Sequence, residues 1–588
     1  MTLAAPLRTD SASNLREWTP KGRRVLGVSR SAIAIYGTFL LVLLLVLSPI
    51  VPILLQSLLD RPLYEPDIHF TLDAYARLFS EAGFAEVILN TVLFAVLSTL
   101  FALIVAVPMA ILVVKTDVPC RALLDFFMQW PFFISALVLS FGWILIYSPA
   151  GFASTYAKDL LGFVPWNLYS IPGMAAVESA GLAPIAYVYC ANSLRQFDSS
   201  LEAAGRSVGA SPYQILRRIM VPMLRPPVVY SALLIFSMSI EALSVPLLLG
   251  MPNGINLFSS FLYQYGLTSV DPDFSVLGAA SVLVLIVLGG LVVAQGLILK
   301  RSQRFITVRG KVPRPHVLPL GWLRWIAFAA ISAYLLIATV VPLAALIFRS
   351  FTQVFTPLMN PFSVLTLENY AVLYTVPAYH EPITTSLVVS GIGAILISGL
   401  AIVAAVVARR SRFKLGRLTE YLILSVLAVP GTVLSIGLFW AFSSIPQNWG
   451  GDIVTGSILT LIVAFGIRAL PVAYSSVASS LMQIHEELDF AARVSGADWV
   501  KIFGAVLFGL LRPAFVAAML LAFVIMMKEY ATAVFLVTAD TQVIGSALLS
   551  LWTQGSTGPV SALAVVQVIL STSVVIIVKA LTGKKHHA

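Results

Sequence analysis

The sequence predicts an all-α polytopic membrane protein with twelve transmembrane helices, arranged as two parallel six-helix repeats. Three observations predict it. Charged residues make up only 11% of the 588, and the mean hydropathy is +0.93, whereas a soluble chain carries roughly 25% charged residues. The apolar residues gather in blocks of spanning length, which is about 20 residues for a helix. A long polar, basic stretch is written twice, 287 residues apart.

Hydropathy places the spans at 32–58, 86–114, 122–148, 172–194, 226–250, 273–299, 321–348, 384–408, 418–443, 455–480, 514–537 and 560–580. The chain divides into an N-terminal tail (1–31), a first half (32–300, core 85–300), a linker (301–320), a second half (321–582, core 380–582) and a short tail (583–588). Pro and Gly inside several spans are compatible with this reading, because neighbouring helices can satisfy the freed backbone groups.

The net charge of +10 does not point to nucleic acid, because Lys and Arg fall at alternate loops, the positive-inside pattern. Arg8, Arg16, Lys21, Arg23, Arg24 and Arg30 precede the first span; Lys300, Arg301, Arg304, Arg309, Lys311 and Arg314 join the halves; Arg409, Arg410, Arg412, Lys414 and Arg417 fill a further turn. The opposite loops hold only Arg61, Arg77, Lys158 and Arg349. Both termini are therefore expected on the cytoplasmic side of a bacterial inner membrane. No cleavable leader is expected, since the first apolar segment exceeds the roughly 7–15 residues of a signal core. Cys120 and Cys190 fall toward the cytoplasmic side, where a structural disulfide is not expected, and two lone cysteines make no metal site.

The repeated stretch aligns without a gap. Glu202 matches Asp489, Arg206 matches Arg493, Gly209 matches Gly496, Ala210 matches Ala497, and Arg225-Pro226 matches Arg512-Pro513, all at offset 287. A second echo, Thr71–Tyr75 against Thr366–Tyr370, runs at offset 295. A long-period repeat outranks local motifs as evidence of architecture. Both copies must face the same side, which requires an even number of spans per period. Each copy reads as a short amphipathic helix, with Glu202 and Arg206 spaced i,i+4, then a Gly suited to a left-handed helix end, then a second short helix carrying Arg217 and Arg218 or Lys501. Such an element suits docking, presenting a carboxylate and small residues to a partner.

Glu202-Ala203-Ala204, with Gly209 seven residues after the Glu and an apolar run ending at Pro222, resembles the EAA loop of bacterial ABC importer permeases. The second copy departs from that pattern, with Asp489-Phe490-Ala491 in place of Glu-Ala-Ala and Gly509 in place of the terminal Pro. A fused permease with two such loops is similar to the ferric-iron permeases, with thiamine, polyamine and aminoalkylphosphonate permeases as near alternatives. The resemblance implies the type I importer fold and two cytoplasmic ABC ATPase subunits docked at Glu202, Ala203, Ala204, Gly209, Ala210 and at Asp489, Ala491, Gly496, Ala497. It also implies a periplasmic or extracellular binding protein. ATP would be used by the partner subunit, with no cofactor or metal on this chain and no catalytic residue.

Ionisable residues inside a membrane are functional hypotheses by default. Glu241 and Lys528 occupy equivalent places, each fifteen residues past the matched Pro226 or Pro513, and Glu529 follows Lys528. One expectation is that Glu241 and Lys528 pair across a translocation pathway; the alternative is a structural role that fixes packing, with Lys528 held by Glu529 or by the carbonyls of another helix. Arg468, before Pro471, is a weaker pathway candidate, because the carbonyl freed by that Pro offers it a partner. A lone His485 reads as a surface residue, and His586-His587 as too short a run to bind metal. The outer loops at 60–83, 251–272, 350–382 and 538–558 are candidates to meet a binding protein. The chain carries no G-x-x-x-x-G-K-[ST], so it has no phosphate cradle of that kind, and no HExxH or GxSxG motif. The rival from another class is an ion-coupled secondary transporter with fused parallel repeats, using Glu241 and Glu529 as carriers. It leaves the duplicated docking element unexplained.

Overall fold

A computed structural model describes residues 30–583, except 81–82, 197–198, 303–316, 358, 412–413, 447, 449–450, 452–454, 486 and 498–500. The N-terminal tail, most of the linker, the last residues with His586-His587, and Arg412 lie outside the described residues. The described chain is all α, with three isolated β-bridges and no named strand. Ten helices are long and apolar enough to cross a membrane, or twelve if each of two bent pairs counts as one span.

The helices that position the site are α1 (Arg30–Gln56), α2 (Phe84–Lys115), α3 (Ile171–Arg195), α4 (Ser199–Ser207), α5 (Arg225–Ile240) and α6 (Phe274–Ser302) in the first half. The second half contributes α7 (Leu323–Ser350), α8 (Pro377–Arg410), α9 (Ile458–Leu481), α10 (Glu487–Val494), α11 (Phe508–Met527) and α12 (Thr557–Gly583). In each half the second, fourth and fifth spans form one bundle: α2 with α3 and α5, and α8 with α9 and α11. The offset-295 echoes become short helices, Asp73–Ser80 and Glu368–Thr375, entered identically. The Thr71 hydroxyl accepts from the Asp73 amide at 3.1 Å, and the Thr366 hydroxyl from the Glu368 amide at 3.0 Å, which satisfies one of the free donors of a helix start.

The first span of each half crosses to the other half. α1 packs on the helix Gly431–Ser443, and α7 packs on the helix Ala136–Tyr147. One device serves both crossings. A Cβ at Gly437 would lie 2.1 Å from the Pro49 carbonyl oxygen, and a Cβ at Gly142 would lie 2.5 Å from the Pro342 carbonyl oxygen. Gly142 and Gly437 are themselves 295 residues apart. Each is a glycine because a backbone carbonyl occupies the space a side chain needs. Gly437→Ala should therefore loosen the exchanged helix and cost about 1–3 kcal/mol, the usual range for overpacking, read as a lower melting midpoint of the purified protein. An unchanged midpoint would show that α1 is not seated there.

Four of the expected spans are not single helices. The span at 226–250 breaks after Ile240 and resumes as a π-helix over Pro246–Gly250, and that at 514–537 is helical only to Met527; Glu241 and Lys528 cap the ends at Ile240 and Met527 rather than lying within the helices. The span at 122–148 breaks through a 3-10 turn, Trp130–Phe133, and that at 418–443 bends by 110° after a matching turn, Val426–Ala428. The residues on either side of all four breaks are mainly apolar, so averaged hydropathy does not register them. Non-helical backbone at such depth is tolerated where protein buries it or a cavity borders it. The fifth spans also differ. In the first half the run Tyr213–Met223 meets α5 at 52°, while the second half runs unbroken over Ile502–Met527. Pro222 and Pro227 in the first half stand against Gly509 and Ala514 in the second, and proline removes the amide that a straight helix would use.

Two of the expected outer loops are largely internal. Within 251–272, Phe258, Phe261 and Leu262 are buried on a short helix, and within 538–558 the helix Ile544–Thr553 buries Ile544, Ala547 and Leu548.

Candidate functional site

The two docking elements form as expected in backbone and differ in what they present. α4 ends at Gly209 (φ +79°) and α10 at Gly496 (φ +81°), with open space where a side chain would project. The Ala210 amide reaches back to the Gly205 carbonyl at 3.0 Å, and the Ala497 amide to the Ala492 carbonyl at 3.1 Å. This six-to-one bond over a left-handed residue is the glycine helix stop.

The acidic residues do not face a partner. Glu202 is 1% exposed, and its carboxylate accepts from Lys115 Nζ at 2.7 Å. Asp489 is likewise buried and accepts from Arg410 Nη1 at 3.2 Å. Lys115 ends α2, Arg410 ends α8, and they stand 295 residues apart. Each docking helix is thus tied by an ion pair to the second span of its own half, with a longer acid against Lys and a shorter acid against Arg. Arg410 Nη2 also donates to the carbonyls of Leu481, at 3.1 Å, and of Ile484, capping the end of α9 where carbonyls have no helical partner. The surface left facing outward carries exposed apolar side chains, Ala204, Val208 and Tyr213 in one copy and Leu488, Phe490, Ala491 and Val494 in the other, beside polar ones such as Ser207, Arg217 and Glu487.

Between the halves lies a cavity of about 170 Å³ whose wall carries Glu178, Glu241, Arg468, Lys528, Glu529 and Tyr530. The expected Glu241–Lys528 pair is absent. Glu241 instead accepts from Arg468 Nη2 at 2.5 Å. Arg468 also donates from Nη1 to the Val429 carbonyl at 3.0 Å, and its Nε lies 4.0 Å from Glu529. The carbonyl that satisfies it is the one exposed by the bend at 428–430, not one freed at Pro471. Lys528 Nζ donates to the Phe132 carbonyl at 2.6 Å and lies 4.4 Å from the centre of the Phe132 ring. Glu529 accepts from both the amide and the hydroxyl of Thr532.

The four pathway candidates of the sequence, Glu241, Lys528, Glu529 and Arg468, therefore converge on one cavity. The ties cross the halves: Arg468 and Lys528 come from the second half, while Glu241 and Phe132 come from the first. The geometry follows from the broken helices. Lys528 caps the C-terminus of α11, an end that favours a cation, and both cations bind carbonyls that the 3-10 turns leave unpaired.

Three participants were not singled out by sequence. Lys115 and Arg410 could have been found as matched basic residues at the ends of equivalent spans. Glu178 is an intramembrane carboxylate, but its counterpart at offset 287 is Phe465, so comparison of the halves gives it no echo.

Two parallel helical halves, exchanged first spans, paired helix–Gly–helix elements and a polar cavity between the halves are those of a membrane transport permease subunit of duplicated construction. The chain belongs to the family of binding-protein-dependent transport system inner membrane components, whose model matches residues 84–305 and again 397–586. It is 26% identical over 554 residues to the ferric transport system permease protein FbpB of Actinobacillus pleuropneumoniae, covering 92% of this chain and 77% of that one. It is 29% identical over 421 residues to a putative ferric transport system permease protein FbpB 1 of Haemophilus influenzae, covering 70% of this chain and 64% of that one. The spermidine/putrescine transport system permease protein PotB of Escherichia coli matches over 240 residues at 27% identity, covering 40% of this chain and 84% of PotB. A subunit of this family is a transport permease and not by itself an enzyme.

Proposed function

We propose that this chain forms the membrane gate of an ATP-driven importer, each half engaging one cytoplasmic ATPase subunit through its helix–Gly–helix element. The observation that carries this reading is the duplicated element itself, pinned in both halves by an equivalent buried ion pair. A docking helix that moved freely would dissipate a pull. One fastened to the end of a spanning helix passes the pull into the bundle. Apolar side chains left exposed on it, such as Val208 and Phe490, suit a groove on a partner.

In the mechanism that follows, closure of the ATPase dimer draws α4 and α10 together, and the two halves rock about the interface. The Glu241–Arg468 and Lys528–Phe132 ties part, and the cavity opens outward to a substrate handed over by an external binding protein. Hydrolysis returns the ties. Such rocking about a site between parallel repeats is the transporter pattern. The cavity at Glu241, Arg468, Lys528 and Glu529 is then part of the translocation path, and both termini are cytoplasmic in the bacterial inner membrane.

Ferric iron is the proposed substrate, supported by the names of the relatives that cover most of the chain. A polyamine is the second reading, supported by the PotB similarity over one half.

Substituting both Gly209 and Gly496 with Leu tests the coupling. A leucine held at positive φ costs about 1–2 kcal/mol per site and places bulk in front of the docking helix. The expected result is loss of the co-purifying ATPase together with loss of uptake. Uptake that survives without any ATPase and is abolished by a protonophore would instead establish an ion-coupled transporter.

A further inference from the structure

The cavity between the halves holds three carboxylates, Glu178, Glu241 and Glu529, against two cations, Arg468 and Lys528. The cations are committed. Arg468 holds Glu241 at 2.5 Å and lies 4.0 Å from Glu529, and Lys528 is tethered to the Phe132 carbonyl and ring. Glu178 is the carboxylate that neither cation holds. It is 8% exposed, it borders the cavity, and its Oε2 has no hydrogen-bond partner among the described residues. Glu241, held by Arg468 through Oε1, also has an Oε2 without a hydrogen-bond partner among the described residues. The Tyr530 hydroxyl, on the same wall, is also without a partner there.

The placement has a structural logic. Glu178 and Gly181 lie i,i+3 on α3, and their counterparts at offset 287 are Phe465 and Arg468 on α9. Residues three apart share a helix face. The cavity is thus bordered by equivalent positions of two helices carrying different chemistry: Glu178 and Gly181 on one, Arg468 on the other. Gly181 leaves the space beside Glu178 open, with only a leucine methyl at 3.9 Å from the position of a Cβ.

We propose that Glu178 is a receiving site for the positive centre of the transported substrate. The proposal rests on the reading that this cavity lies on the translocation path. A buried carboxyl with an unmet oxygen, in a cavity that holds three carboxyls and two cations, offers a partner to an arriving small cation and none to an anion. When the Glu241–Arg468 pair parts, Glu241 joins Glu178 in facing the substrate.

The test uses the whole complex, with its ATPase and binding protein, in proteoliposomes, and measures uptake of radiolabelled ferric iron and of radiolabelled spermidine beside substrate-stimulated ATP hydrolysis. The key variant is Glu178→Gln, which keeps the shape and hydrogen bonding of a neutral carboxyl and removes the charge. The expected result is an uptake loss of about tenfold or more for the cation that the unaltered complex carries, as removal of one charge-assisted contact predicts. Stimulated ATP hydrolysis should be retained, and Glu178→Asp should recover part of the uptake. Uptake by Glu178→Gln equal to the unaltered complex would overturn the proposal, because the residue would then be a neutral packing group. So would loss of assembly in both variants, or carriage of neither cation. Absence of substrate-stimulated hydrolysis in the unaltered complex would instead count against the importer reading.

Discussion

Arg468→Met should be among the most damaging single substitutions in the membrane region. The Arg468 side chain is 19% exposed and that of Glu241 13%, so both members of the pair are largely shielded from water. Breaking a buried pair by removing one member costs about 3–5 kcal/mol, because the survivor is left as an uncompensated charge. Here the loss strands Glu241, withdraws the cation 4.0 Å from Glu529, and leaves the Val429 carbonyl without its donor. The expected observation is a lower melting midpoint of the purified complex and raised ATP hydrolysis without substrate, since the tie that joins the halves in the closed state is gone.

The double variant Arg468→Met with Glu241→Gln separates charge from packing. It removes both members and leaves Glu529 with its Thr532 donors, so most of the stability should return. The idle hydrolysis should stay high, because the cross-half tie is still missing. A double variant no more stable than the single one would place the cost in the shape of the arginine side chain rather than in the pair. Lys528→Met is expected to be milder, since Lys528 donates to a neutral carbonyl and lies over an aromatic ring, and its removal leaves no charge newly alone within that contact.

The sequence makes the duplication, the span lengths and the glycine stops legible because each is local or periodic. Gly209 and Gly496 could be read as helix ends from one residue type in one context, and the structure places both at positive φ. The convergence of Glu241, Lys528, Glu529 and Arg468 was legible as intramembrane charge. Its pairing was not. Glu241 and Arg468 are 227 residues apart, and their contact is created by packing one half on the other. The equivalence of Glu241 and Lys528 suggested opposite charges facing each other, but equivalent residues near a pseudo-twofold axis meet only if they lie on it. The breaks at Glu241 and Lys528 were hidden because the residues beyond them, Pro246–Gly250 for example, remain apolar while leaving regular helix geometry. The orientation of Glu202 and Asp489 was misread for a different reason. Amphipathic spacing separates two faces of a helix but does not say which faces the protein, and only the basic ends of α2 and α8 decide that.

Lys115→Met should uncouple the first docking helix. The Lys115 and Glu202 side chains are 3% and 2% exposed, so Glu202 would be left charged and buried, at a local cost again of about 3–5 kcal/mol. The pair fastens α4 to the end of α2, so the helix should give way before the bundle does. The predicted phenotype is ATP hydrolysis that continues while uptake falls, because the motor pulls a handle no longer fixed to α2. A purely structural role would lower both in proportion to the amount of folded protein. Exchanging the charges, Lys115→Glu with Glu202→Lys, rebuilds a pair of the same length and should restore uptake. Arg410→Met should be worse than Lys115→Met, since it also uncaps the Leu481 and Ile484 carbonyls at the end of α9. The second docking helix, whose sequence departs furthest from the family pattern, is thus the one whose basic partner also caps the end of α9. If Arg410→Met proves harmless while Lys115→Met uncouples, force enters through the first half alone.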